Sequence, residues 1–308
     1  MATTTATAIT VRPTLSPAQR RRREYLGALL FVLPALINFA VFRYFPIVRA
    51  FWVSLWDYSL LGGFGGFRGL EQYTRALQDP IFWLSMRVTV LFVLLKVPLQ
   101  VVLALGLALV TQREVRGMGV VRSAIFTPVV SSMIVVSIVW AMMYHSQQGL
   151  INSMLASFGL PRQRFLSDPT LALPAITLMT IWKEVGFSMI IFLAGLKGIA
   201  SEYYEAAAMD GANRLQNLWY ITLPLLKRVM MFVVVTQTIQ SFQVFAPVYA
   251  MTRGGPQDAT KVIVYYIYQH AFAFQDMGYA STLSIMVLFV ILAVSLVQMR
   301  VLRSDVGN

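Results

Sequence analysis

Apolar residues in this chain gather in long, nearly uninterrupted runs instead of alternating with polar ones. The first opens at Leu26, directly after Arg20–Arg23, and continues through Phe42 towards Trp52. Five more follow, near Trp83–Val110, Val120–Tyr144, Leu171–Leu196, Lys227–Met251 and Tyr279–Val301. A helix of about 20 residues crosses a hydrocarbon core about 30 Å thick, so each run predicts a membrane span. The first run is too long for a secretory signal and has no small-residue cleavage site, so it predicts a retained helix. The pattern as a whole predicts an all-α membrane protein with six transmembrane helices. Residues 1–24, which begin Thr/Ala/Pro-rich and without helical periodicity, predict a disordered cytoplasmic tail. Residues 25–303 then form the transmembrane domain, and residues 304–308 a cytoplasmic C-terminal tail.

Composition supports the same reading. The chain is 57% hydrophobic and 12% charged, with a mean hydropathy of +0.67, against roughly 25% charge in an average soluble domain. With no cysteine there is no disulfide, thiol chemistry or cysteine metal site. His145 and His270 stand far apart in sequence and give no basis for a metal centre. A net charge of +12 would suit a nucleic-acid binder. The charges flank apolar runs instead of forming a basic face, so membrane lipid is the expected neighbour and nucleic acid is not. With the N-terminus inside, fourteen Lys and Arg fall in inner segments and six in outer ones. Basic residues favour the cytoplasmic side, which places both termini there and puts outer loops near residues 53–82, 145–170 and 252–278.

The Gly cluster GGFGGFRGL lacks the Gly-Lys-Ser/Thr ending of a phosphate loop and falls on the outer side, so it reads as a flexible turn. LEQYTRAL predicts a short helix before Asp79-Pro80. No phosphate-loop sequence occurs elsewhere, so any ATP chemistry must come from another chain.

The inner segment 197–226 carries the most information. Ser201 reads as an N-cap, with Glu202 and Glu205 in the first turns, where the helix dipole favours anions. Ala206 to Ala208 are strong helix formers. Gly211 turns the chain, a second helix begins near Ala212 or Asn213, and Pro224 precedes the next span. Periodicity alone fits an amphipathic connector on the lipid surface equally well. The residues go further: Glu205-Ala206-Ala207, three residues, Gly211, nine residues, then Ile221, Leu223 and Pro224 closely resemble the EAA motif of bacterial ABC importer permeases. FRYFPIVRAFWVSL, FRGLEQY, DPIFW, VPLQ and MTRGGP are similar to the carbohydrate-uptake branch, of MalF-like or UgpA-like type. The resemblance runs from Arg23 to the C-terminus, without extra N-terminal helices or a large outer domain.

That resemblance implies a type I ABC importer permease fold: six transmembrane helices and a cytoplasmic coupling helix, in the bacterial cytoplasmic (inner) membrane. It implies that Glu205, Ala206, Ala207, Asp210 and Gly211 couple to an ATPase. The implied partners are a second homologous permease subunit in a heterodimer, two cytoplasmic ATPase subunits and an extracytoplasmic solute-binding protein. No cofactor is expected on this chain, with ATP and Mg on the ATPase subunits. The solute stays open among oligosaccharides, monosaccharides, and glycerol phosphate or its diesters.

Polar side chains within spans face a protein interior or a watery pathway. Thr236, Gln237, Gln240, Ser241 and Gln243 form a band interleaved with Phe242 and Phe245, and its amides suit hydroxyl-rich ligands. Interhelical glue is the competing reading. Lys183 and Glu184 are adjacent on one helix and cannot pair with each other, so each needs a partner elsewhere, as pathway lining or as a structural pair. Lys96, close to Pro98, reads as a kink or snorkelling residue. Trp182 reads as packing or pathway. Among rival classes, an ion-coupled secondary transporter leaves the 197–226 segment without a role, and a membrane enzyme would need a cluster of His, Asp or Glu that the sequence lacks.

Overall fold

The computed structural model describes residues 17–302, without the side chains of residues 17–20, 22 and 23. Residues 1–16 and the predicted tail at 304–308 lie outside the described residues. The chain divides into two units, Met1–Trp52 and Val53–Asn308.

In the first unit, α1 (Pro17–Phe39) passes through a π turn at Ala40–Tyr44 into α2 (Phe45–Val53). The helix begins at Pro17, so residues 17–24 are helical and not part of an unstructured tail. Proline suits a first helical position, where its missing N–H costs nothing. Glu24–Val53 is 30 residues long and apolar enough to cross a membrane.

The second unit opens with a hairpin, β1 (Trp56–Ser59) against β2 (Gly63–Phe67), so the glycine cluster is an antiparallel ribbon and not simply a flexible turn. Gly63 supplies the positive φ of +72°, and Trp56 packs edge-on against Phe64 and Phe67 at 5.9 and 5.2 Å. The predicted short helix follows as α3 (Glu71–Gln78). Next comes α4 (Pro80–Thr111), started by Asp79, whose Oδ1 accepts from the Ile81 amide at 2.8 Å.

The third apolar run is broken. α5 (Met118–Val130) and α6 (Met133–Met143) meet at 98° across Ser131 and Ser132, which are extended. Then come α7 (Leu150–Ser157), α8 (Ala172–Lys197), α9 (Ser201–Met209), α10 (Arg214–Asn217), a π turn at Leu218–Thr222, and α11 (Leu223–Leu225). The fifth run is also broken: α12 (Lys227–Phe242) stops at Gln243, and α13 (Ala246–Met251) resumes after Phe245. Its start is bent by 68° from Arg214–Leu225. α14 (Ile263–Tyr268) lies in what reads from sequence as a loop, and α15 (Met277–Leu302) is the last long helix. Among the described residues, four helices are thus long and apolar enough to span a membrane, and up to six spans result when each bent pair counts as one.

α4 is the axis of the second unit. Its first half joins Tyr279, Leu283 and Val287 of α15 and Phe242 of α12 in one core. Its second half presents Ala104 and Ala108, both fully buried, to Met189, Phe192 and Leu193 of α8. Two glycines allow helices to close in. A Cβ at Gly195 would lie 2.9 Å from the Leu226 side chain and 2.8 Å from Val229. One at Gly186 would collide with the Ile125 carbonyl, so α8 lies directly against α5.

Candidate translocation site and coupling segment

Midway along the spans, α4, α8 and α12 bring a set of polar side chains together. Lys96, 1% exposed, donates from Nζ to Glu184 Oε2 at 2.6 Å, Gln237 Oε1 at 3.1 Å and Ser241 Oγ at 3.2 Å. Gln237 Nε2 and Gln100 Nε2 each donate to Ser188 Oγ at 3.2 Å, and Ser241 Oγ donates to the Gln237 carbonyl at 2.6 Å. A buried ammonium is tolerable only when paired and saturated with acceptors, and all three of its donor positions are used.

Beside this centre lies a cavity of about 270 Å³, lined among others by Lys96, Glu184, Gln240, Gln243, Phe245 and Met133. Both helix breaks reach it: Met133 follows the Ser131-Ser132 break, and Gln243 to Phe245 are the other. Non-helical backbone at membrane depth is tolerated where it lines a cavity or is buried in protein. The Gln240 and Gln243 amides and Glu184 Oε1 carry no hydrogen bond among the described residues. Phe245 backs the wall, its ring 5.3 Å from Tyr249 and 5.0 Å from Tyr268.

The band predicted from sequence therefore divides. Gln237 and Ser241 point into the Lys96 centre, and Phe242 enters the hydrophobic core. Gln240, Gln243 and Phe245 face the cavity together with Glu184. Lys183 points elsewhere, donating to the Val129 carbonyl at 3.3 Å near the end of α5. Trp182 packs against Trp140, the ring centres 5.3 Å apart and the planes tilted by 53°. Lys96, which reads from sequence as a kink or snorkelling residue, is instead the cation at the middle of the network. An ionisable residue in mid-span was the signal for it.

The segment 197–226 forms the helix–turn–helix that the sequence predicts, with one change. Ala200, not Ser201, takes the N-cap position, and no side chain caps α9. Glu205, Ala206, Asp210 and Gly211 are exposed and Ala207 is half-buried. Gly211 has φ +76°, and the Ala212 amide reaches back to the Ala207 carbonyl at 2.9 Å. The second helix starts with a full capping box: Asn213 Oδ1 accepts from the Gln216 amide, and Gln216 Oε1 accepts from the Asn213 amide. Tyr204 Oη and Thr222 Oγ1, 3.0 Å apart, tie the two halves together. Met209 is 90% exposed at the tip of α9.

A third polar group lies at the other end of α4. Asp79 Oδ2 accepts from the hydroxyls of Tyr266 and Tyr279. Burial raises its carboxyl pKa, but these hydroxyls and the Ile81 and Phe82 amides outweigh it and hold the group below its ordinary value. Arg75 lies 4.0 Å from the Tyr279 ring centre and binds Asp276 at 3.0 Å. Among the described residues, no group of three or more His, Asp or Glu side chains could hold a metal ion.

Residues 79–304 match the family described as "Binding-protein-dependent transport system inner membrane component". The chain is 34% identical over 281 residues to "Probable ABC transporter permease protein YesP" of Bacillus subtilis, covering 90% of each chain. It is also 34% identical over 289 residues to "Trehalose/maltose transport system permease protein MalF" of Thermococcus litoralis, covering 94% of this chain and 97% of the relative. A solved bacterial alginate ABC transporter, in complex with an alginate pentasaccharide-bound periplasmic protein, contains a chain that superposes with a TM-score of 0.79 at 26% identity. The match covers 93% of this chain and 98% of that one.

Proposed function

Because the chain belongs to the family of inner membrane components of binding-protein-dependent transport systems, and is a multi-pass ABC importer permease, we propose that it forms half of a pathway for a neutral sugar or oligosaccharide. The observation that carries this is the cavity where two helix breaks converge. Its free amides at Gln240 and Gln243 and the open oxygen of Glu184 offer donors and acceptors for hydroxyls. Phe245 offers a ring face to the apolar side of a sugar. Relatives named for trehalose and maltose support the solute class. An ion-coupled carrier, the alternative left by the apolar pattern alone, has no use for the 197–226 segment.

On this reading the termini and the 197–226 segment face the cytoplasm. A second permease subunit completes the pathway, and a solute-binding protein meets the outer loops; the solved alginate transporter in complex with a periplasmic protein supports such a partner. Glu205, Ala206, Ala207, Asp210 and Gly211 dock on one of two ATPase subunits, which bind ATP and Mg. This chain binds no cofactor. Exposed small residues on α9 allow close backbone approach, and the Met209 side chain gives an apolar contact. Nucleotide-driven closure of the ATPases would then displace α9 and open the cavity to the binding protein.

The test is solute-stimulated ATP hydrolysis and uptake by the complex reconstituted with its ATPase, permease and binding-protein partners. Neutral oligosaccharides are expected to stimulate both. Stimulation by amino acids or peptides, with none by any sugar, would overturn the solute assignment.

A further inference from the structure

A separate cavity of about 510 Å³ opens where α4 ends beside the 197–226 segment. Leu109, Leu196 and Leu218 form its apolar wall, and Gln112, Arg113 and Arg214 its polar one. Among the described residues, no acidic side chain lines it. Glu114, next to Arg113 in sequence, is held by Lys197 Nζ at 2.9 Å. Neither Arg113 nor Arg214 has an ion-pair partner among the described residues.

The level of the cavity is set by the chain itself. α4 is apolar through Val110, which is 66% exposed, and turns polar at Gln112 and Arg113. The neighbouring π turn displays Trp219 and Tyr220, 61% and 79% exposed. These amphipathic rings are enriched where hydrocarbon meets head groups. A pocket at that level, lined by two guanidiniums without an ion-pair partner among the described residues and by leucines, meets lipid phosphate before any other anion.

We infer that this cavity binds the head group of an anionic phospholipid, with Arg113 and Arg214 neutralising the phosphate and the leucines receiving the start of the acyl chains. Arginine suits phosphate oxygens because its planar fork donates two parallel bonds. A bound lipid would join the end of α4 to the coupling segment. The site is independent of the solute pathway and does not require the solute assignment.

The probe is phosphatidylglycerol against phosphatidylcholine at equal amounts, added to the purified full-length chain in mild detergent and read by native mass spectrometry. The wild-type chain is expected to retain phosphatidylglycerol preferentially. One basic residue near a membrane surface is worth about fivefold in lipid binding, so Arg113→Gln or Arg214→Gln should each lower the preference by about that factor. Arg113→Gln/Arg214→Gln together should bring the two lipids close to parity. Arg162→Gln/Arg164→Gln, away from the cavity, should leave the preference unchanged. Both positions are exposed, and thermal melting confirms that the variants are folded; if the double variant melts early, the two single variants carry the test. Equal retention of both lipids by the wild type, or an unchanged preference in the single variants, would overturn the site. Displacement of phosphatidylglycerol by excess inorganic phosphate would overturn the lipid as its occupant in favour of a soluble anion.

Discussion

Exchanging Lys96 for Met tests the buried centre most directly. The ammonium is 1% exposed and donates to Glu184, Gln237 and Ser241. Its removal leaves the Glu184 carboxylate, only 19% exposed, without a cation. It also leaves Gln237 Oε1 without a donor, whereas Ser241 keeps its own bond to the Gln237 carbonyl. Breaking a buried ion pair by removing one partner costs about 3–5 kcal/mol, and the orphaned amide oxygen adds about 1 kcal/mol. Methionine fills most of the lysine stem, so little of the loss comes from a cavity. Lys96→Met alone is therefore expected to destabilise the chain by about 4–6 kcal/mol. Lys96→Met with Glu184→Leu removes both charges and should cost far less, since apolar replacement of a whole buried pair is often neutral. The assay is equilibrium unfolding in mixed micelles with increasing dodecyl sulfate, followed by tryptophan fluorescence, for the wild type, both single variants and the double. A coupling energy of at least about 2 kcal/mol is expected for residues in direct contact. A double variant whose loss equals the sum of the two singles would refute the pairing.

Gly211→Val should abolish solute uptake while ATP hydrolysis continues without stimulation by loaded binding protein. No atom lies within 4 Å of its would-be Cβ, so the damage is backbone strain at φ +76°, about 1–2 kcal/mol; normal uptake would remove the coupling role. Gln240→Ala and Gln243→Ala should each reduce uptake with complex assembly intact, whereas Gln237→Ala should lower stability by about 1–3 kcal/mol by unsatisfying its buried partners; the reverse assignment in an uptake and pull-down comparison would exchange their roles. For Asp79, a depressed carboxyl pKa means its stabilisation is complete above the ordinary value near about 3.9 and is lost as pH falls through the folded value. Asp79→Asn should therefore melt earlier than wild type at pH 7, with the gap closing on the acid side of about pH 4; an equal gap at both pH values would refute it.

The spans were legible because long apolar runs leave few alternatives for 308 residues with 12% charge. Their breaks were not. Ser131 and Ser132 interrupt neither hydropathy nor length, and only the backbone shows that α5 and α6 meet at 98°. The polar band at 236–243 was visible as a pattern, but its division was hidden. Gln237 and Gln240 look alike in sequence, and only the position of Lys96, 141 residues from Gln237, decides which of them is buried. Adjacency did carry real information at Lys183 and Glu184. Neighbours on a helix diverge, and they bind α5 and α4 respectively. The start of the second helix, read near Ala212 or Asn213, was legible to within a residue, because the capping by Asn213 and Gln216 is local and needs no tertiary contact. The hairpin at 56–67 escaped because glycines weaken the two-residue alternation that marks a strand.

The placement of the 197–226 segment constrains how motion there could reach the cavity. It is spliced between α8 and α12, the helices that supply Glu184 and Ser188 on one side and Gln237 and Ser241 on the other. Glu184 lies about 20 Å along α8 from Lys197, at 1.5 Å per residue. A helix of that length moves as a rod. Gly195 keeps α8 against Leu226 and Val229, so the two rods are held together beside the segment. A push on α9 is thus delivered to both at once. At the far end they meet the same ammonium, Lys96 on α4. Displacement of the pair relative to α4 must either carry α4 along or separate Glu184 from Lys96. Separation leaves two charges unpaired in a low-dielectric setting, which is the costlier outcome. The ion pair therefore favours α4, α8 and α12 moving as one body. The bends at Ser131-Ser132 and Gln243–Phe245, where the helices are already interrupted, are then the places left to absorb the change.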